Sequence, residues 1–216
     1  MCCGNVIKWY DLVPVLSFIL LKGKCRNCGA KLSVQYPIIE LLNGILYCII
    51  FAVIGINVKS VLTMLLASAL IVIAVIDWRT FTIPFGLNVF IAALGCAAVA
   101  DKLINHDFYG VWDNIIGAVS VSGFLLLLYL ITKGRGIGGG DIKLMAAAGL
   151  FLGWKNCILA FVIGCITGSV IHLLRMKISK QDHVLAFGPY LAFGILIASL
   201  WGEVIVEAYL STLSVG

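Results

Sequence analysis

The chain has 216 residues, 62% of them hydrophobic and only 12% charged, and a formal net charge of +5. Soluble domains carry about 45–50% apolar and about 25% charged residues. A water-soluble globular domain is therefore excluded, and an all-α, polytopic helical membrane protein is expected. The positive charge calls for no nucleic-acid partner, because its placement along the sequence accounts for it.

Residues 1–36 read as a cytoplasmic segment carrying Cys2, Cys3, Cys25 and Cys28, with no secretory signal peptide visible. Cytosolic cysteines stay reduced, so Cys25-Arg26-Asn27-Cys28-Gly29 suggests metal or redox chemistry before a structural disulfide. It resembles half of a zinc ribbon, whose tetrahedral site takes four ligands. Cys3, Cys25 and Cys28 are the candidate ligands of a structural zinc; the competing reading is a reduced, metal-free loop. Trp9 and Tyr10 suit the headgroup layer, and the short apolar run after Pro14 suits a helix lying at the interface. Asp11 is read as a helix cap or as a site residue.

Seven stretches read as membrane spans: 37–56, 60–76, 83–100, 112–132, 141–153, 156–175 and 184–208. The fifth is short and is expected to be a partial span covered by its neighbours. Two domains follow, a cysteine-containing segment with an interfacial helix over 1–36 and a transmembrane domain over 37–216. Threading these spans puts 12 Lys and Arg on one side and three, Lys59, Lys102 and Lys155, on the other. The richer side, which includes the N-terminus, is cytoplasmic.

Pro37 suits a first helical position, and Glu40 then falls in the first turn, where the helix dipole favours an acid. A substrate-facing role explains Glu40 equally well. Asn57-Val58-Lys59 reads as a tight outer turn, and Asn88 lies one turn inside the third span. Residues 101–111 read as an outer loop with His106 in solvent, and the fourth span, almost featureless, is expected to pack or to face lipid. Cys48, Cys96, Cys157 and Cys165 lie in spans as small apolar residues. Gly164 and Gly168 have small-xxx-small spacing. Phe187-Gly188-Pro189-Tyr190 interrupts an apolar run.

Two acids stand out. Asp77 ends the span running inward, and Asp141, after Gly138-Gly139-Gly140, begins one running outward. Both therefore lie at the cytoplasmic boundary, where ionisable groups are costly and usually functional. Two adjacent carboxyls cannot both ionise comfortably, so such a pair shares a proton. One member can then act as base on a water while the other protonates a scissile carbonyl oxygen. The alternative is a small transporter using Asp77 and Asp141 as proton or cation sites, which would place acids near the midplane on broken helices.

Gly138-x-Gly140-Asp141 fits the Gly-x-Gly-Asp signature of intramembrane aspartyl proteases. Beyond it come Trp9-Tyr10-Asp11-Leu12-x-Pro14-x-Leu16-Ser17, Gly23-x-Cys25-Arg26-x-Cys28, Tyr36-Pro37-x-x-Glu40-Leu41-Leu42, Asp77 with Ile83-Pro84, Lys143-Leu144, and Phe187-Gly188-Pro189. In this order the sequence resembles the type IV prepilin peptidases along nearly its whole length. The resemblance implies that Asp77 and Asp141 are catalytic, and that Glu40, Gly138, Gly140, Lys143, Gly188 and Pro189 are candidate substrate-binding residues. It implies removal of the basic leader from type IV prepilins or pseudopilins in the bacterial inner membrane, with no cofactor for proteolysis. S-adenosylmethionine is the methyl donor if the protein is bifunctional. The family pattern has eight spans and two Cys-x-x-Cys pairs. Here the first span is missing, and Cys3 aligns with the second cysteine of the first pair, whose partner would precede Met1.

Overall fold

A computed structural model describes residues 15–134, 136–178 and 186–214, together with Gly4, Val6, Lys8, Asp11 and Val13. Cys2, Cys3, Trp9 and Tyr10 lie outside the described residues, and so do the expectations attached to them. The described part is all-helical: α1 (Leu16–Leu20), α2 (Gln35–Ile54), α3 (Val58–Thr80), α4 (Phe85–Ile104), α5 (Phe108–Ile131), α6 (Gly139–Leu152), α7 (Trp154–Ile178) and α8 (Gly188–Ser214). Six of these, all but α1 and α6, are long and apolar enough to cross a membrane. The protein is a multi-pass membrane protein. The expected fifth span is α6, whose 14 residues extend only about 21 Å at 1.5 Å per residue.

The chain divides into two compact units, residues 1–52 and 53–216. In the first, α2 begins two residues before Pro37, because Ser33 Oγ accepts the Gln35 N–H at 3.3 Å and so satisfies an otherwise open helix end. Glu40 consequently falls beyond the first turn rather than within it. Its carboxylate instead accepts the Val15 N–H at 3.1 Å, at the start of α1. Asp11 does not cap a helix. Arg26 grips its carboxylate as a fork, at 2.7 and 3.0 Å, and this bond holds the Asp11 carboxyl below its ordinary value.

In the second unit α6 is the hub, packing against α4, α5, α7 and α8, with Leu144, Met145 and Ala148 fully buried. Lipid tails are as apolar as leucine, so burial of leucines supplies little drive between membrane helices. Close backbone approach and hydrogen bonds must supply it. The α5–α6 seam does this: Gly117 and Gly149 face each other so closely that a Cβ on either would collide with the other's backbone. Of the two readings open for the almost featureless fourth span, packing holds along this seam. Fully buried Asn114 adds a clasp, donating to the Leu150 carbonyl at 2.7 Å and accepting from Lys102 Nζ at 2.7 Å. Away from the seam, α5 turns Val119, Leu126, Leu127 and Leu130 outward, a surface suited to lipid.

The outer loop expected over 101–111 is shorter than its polarity implied. Helix α4 continues to Ile104, and Asp107 caps α5 by accepting the Gly110 N–H at 2.9 Å. At the same end of the unit Lys59 of α3 meets Glu203 of α8 at 3.2 Å.

The seam makes a specific prediction. Gly149→Val should lower thermal stability in detergent by roughly 1–3 kcal/mol or prevent folding, as overpacking does. Gly123→Ala should be neutral, since a Cβ there meets only Val119 Cγ1 at 3.7 Å. Melting curves of the two variants compare them directly.

Candidate active site

Helix α3 is capped by Phe81, a left-handed residue (φ 53°) whose N–H donates to the Asp77 carbonyl at 2.9 Å. That turn leaves the Asp77 side chain in the last full turn of α3, buried with 5% exposure. Its partner comes from far along the sequence: the Gly188 N–H donates to Asp77 Oδ2 at 2.9 Å. Gly188 opens α8, where backbone N–H groups have no helical acceptor and the dipole is positive. A Cβ at Gly188 would sit 2.7 Å from Asp77 Oδ2, so only glycine permits this approach. Pro189 follows as the second helical residue, a position where a missing N–H costs nothing.

Asp141 stands in the first turn of α6. It is half-buried, its carboxyl turns back to the backbone of Gly138, and it lies within electrostatic reach of Asp77. The three glycines before it do different things. A Cβ at Gly138 would sit 3.0 Å from Asp141 Oδ2, and one at Gly140 would sit 3.1 Å from Ile83 Cβ, whereas one at Gly139 would meet nothing within 4 Å. The pattern Gly-x-Gly-Asp is therefore a statement about space. The first glycine clears the carboxyl, the second lets α6 start against Ile83, and the middle position faces open room.

The structure thus brings together Asp77, Asp141, Gly138, Gly140 and Gly188. Lys143 is exposed, and its Nζ lies 5.2 Å from the Phe85 ring centroid, a cation–π contact between α6 and α4. Glu40 belongs to the first unit and is occupied by the Val15 N–H. Sequence reasoning passed over two features here. Ile83 is the wall against which Gly140 sets α6, and its only signal was the Ile83-Pro84 pair following an acid. Arg175 lies 5.0 Å from the Trp78 ring centroid, a contact with no local signal.

Cys25 and Cys28 lie on one tight turn, closed by Gly29 N–H to the Cys25 carbonyl at 3.0 Å and Cys25 N–H to the Ala30 carbonyl at 2.8 Å. Gly29 adopts φ +68°, and Lys24 pairs with Lys31 across the base. Two thiols on a backbone-closed turn, neither in a disulfide, fit half of a tetrahedral thiolate zinc site. Cys3 lies outside the described residues, and the described residues contain no group of three or more His, Cys, Asp or Glu able to hold a metal.

Comparison with known proteins gives the family. The type IV leader peptidase family matches residues 64–173, and the bacterial peptidase A24 N-terminal domain matches residues 1–54. The prepilin leader peptidase/N-methyltransferase of Aeromonas salmonicida (strain A449) is 32% identical over 98% of this chain and 73% of its own length. That of Bacillus subtilis (strain 168) is 32% identical over 96% of this chain and 83% of its own length. That of Stutzerimonas stutzeri is 30% identical over 96% and 73%. No solved structure matches the protein. With one family match spanning both acids and a second covering the cysteine turn, the chain belongs to the type IV leader peptidase family.

Proposed function

We propose that the protein is an intramembrane aspartic endopeptidase that removes the basic leader from type IV prepilins or pseudopilins at the cytoplasmic face of the bacterial inner membrane. The observation that carries this reading is the meeting of Asp77 and Asp141, 64 positions apart, within electrostatic reach at one end of the helical unit. Family membership supports it and gives the transporter alternative no support. Asp77 and Asp141 are the proposed catalytic pair, with Gly138, Gly140 and Gly188 shaping the space around them. The basic groups at this end, with Arg175 over Trp78 and Lys143 over Phe85, support the cytoplasmic assignment and a cytosolic N-terminus.

In the proposed reaction the ionised member of the pair takes a proton from water as the water oxygen attacks the scissile carbonyl carbon. The protonated member gives its proton to the carbonyl oxygen, forming a gem-diol. Collapse of that intermediate breaks the C–N bond: one diol hydroxyl returns its proton to the ionised member of the pair, and the proton held by the other passes to the departing nitrogen. The Gly188 N–H fixes one oxygen of Asp77 throughout, so the carboxylate needs no reorientation as charge moves. The cysteine turn would hold zinc through Cys25 and Cys28, with Cys3 as the proposed third ligand, and the metal's part is structural. Methylation of the new N-terminus would take its methyl from S-adenosylmethionine. The division into a cysteine segment over 1–36 and a protease domain over 37–216 follows those roles.

Three outcomes test the proposal. Asp77→Asn and Asp141→Asn should each reduce leader cleavage by at least about 1,000-fold in detergent with a purified prepilin, the scale expected when a member of a cooperating acid–base unit is lost. Gly188→Ala should abolish cleavage because its methyl would displace the Asp77 carboxylate, whereas Gly139→Ala should keep activity within about twofold of the parent, its Cβ meeting nothing. Elemental analysis in reducing buffer should find zinc in the parent protein and none in the Cys25→Ser, Cys28→Ser double variant.

A further inference from the structure

Two buried polar side chains of the helical unit have no hydrogen-bond partner among the described residues: the Asn88 amide, at both its oxygen and its nitrogen, and the Tyr190 hydroxyl. Tyr190 packs its ring on Gly168 of α7. Asn88 stands elsewhere, on α4, with 4% exposure.

Two contacts fix its level against α6. Ile83, just before α4, packs on Gly140, and Gly95, farther along α4, packs on Leu150. The two helices therefore run side by side in the same direction, which sets Asn88 level with residues 143–145. That is within about one turn of Asp141, roughly 5 Å along the axis. Asn88, Ile91 and Gly95 are all buried and spaced three and four apart, so they share one face of α4. Gly95 shows that this face is the one turned toward α6. A buried amide with two idle hydrogen-bonding atoms thus lies on the α6-facing side of α4, within about one turn of the level of Asp141.

Cleavage supplies a partner of matching chemistry. A peptide bond inside a helix has its N–H and C=O already engaged, and its carbonyl is shielded from attack. Reaching the acids requires a short stretch of substrate to open out. The freed backbone groups then need partners in a setting with little water. The asparagine amide offers one acceptor and one donor, the complement of one N–H and one C=O on an extended peptide.

We infer that Asn88 is a substrate-binding residue of this site, its amide oxygen accepting a backbone N–H and its NH2 donating to a backbone carbonyl of the opened peptide beside the scissile bond. The inference rests on the endopeptidase reading above. It concerns recognition of the backbone, so it gives no preference for particular substrate side groups.

The test uses the full-length protein in detergent micelles, a prepilin-derived peptide, and a set of analogues each N-methylated at one amide around the cut. Asn88→Leu should melt at or above the parent temperature, because an apolar residue of similar size removes the orphaned amide without leaving a hole. Its kcat/KM should fall roughly 10- to 100-fold, as expected when a paired backbone group loses its partner. One N-methylation that impairs the parent enzyme should have no further effect in the variant, which is the signature of a direct contact. Asn88→Ala should repeat the pattern if leucine distorts the helix. Parent-like kcat/KM in both variants, or the same proportional loss on every analogue, would overturn the inference. Asp77→Asn assayed in parallel separates the two readings. If it still cleaves, the endopeptidase assignment fails; if it is inactive while the Asn88 variants match the parent, only the role of Asn88 fails.

Discussion

The hydrogen bond from the Gly188 N–H to Asp77 Oδ2, 2.9 Å long, ties the end of one membrane helix to the beginning of another. A carboxyl group in this setting is expensive, and the opening of α8 is one of the few places where backbone donors are available without unravelling a helix. Asp141 meets the same need differently, by sitting in the first turn of its own helix. Both acids therefore stand at positive helix ends, α8 for one and α6 for the other. The demand for donors fixes where α3 must stop and where α6 and α8 must start.

Glycine makes those meetings possible, and it does so throughout the unit. At Gly188 and Gly140 the missing Cβ admits a carboxylate and an isoleucine; at Gly117 and Gly149 it admits a neighbouring backbone. A bilayer gives no reward for hiding leucine from its own tails, so contact distance and polar clasps such as Lys102–Asn114–Leu150 hold the helices together. Large apolar residues are left for the lipid-facing surfaces. This inverts the arrangement of a soluble core, although some large residues, Leu144 and Met145 among them, remain inside.

Much of this was legible in the sequence because its signals are local. Apolar runs marked the spans, including the shortness of α6, and Asp141 was legible as a first-turn acid because a glycine run precedes it. What escaped were features set by distant partners. Ser33 starts α2 early through its hydroxyl, which moved Glu40 out of the first turn. Asp11 finds Arg26 across the cysteine segment in place of capping a helix. Gly117 drew no attention in an almost featureless run because its partner, Gly149, is on another helix. The Asp77–Gly188 bond joins residues 111 apart, and only the Gly-Pro interruption in an apolar run hinted that something happens there.

The brevity of α6 has a bearing on hydrolysis. Measured from the Gly117–Gly149 contact, α5 extends past the level of Asp141 by about six residues, or roughly 9 Å at 1.5 Å per residue. Asp141 consequently stands at the start of its helix, short of the end of α5. Hydrolysis consumes a water molecule at every turnover, and a full-length helix in this place would have buried the acid in hydrocarbon. The short α6 instead sets it in a first turn, only half-buried.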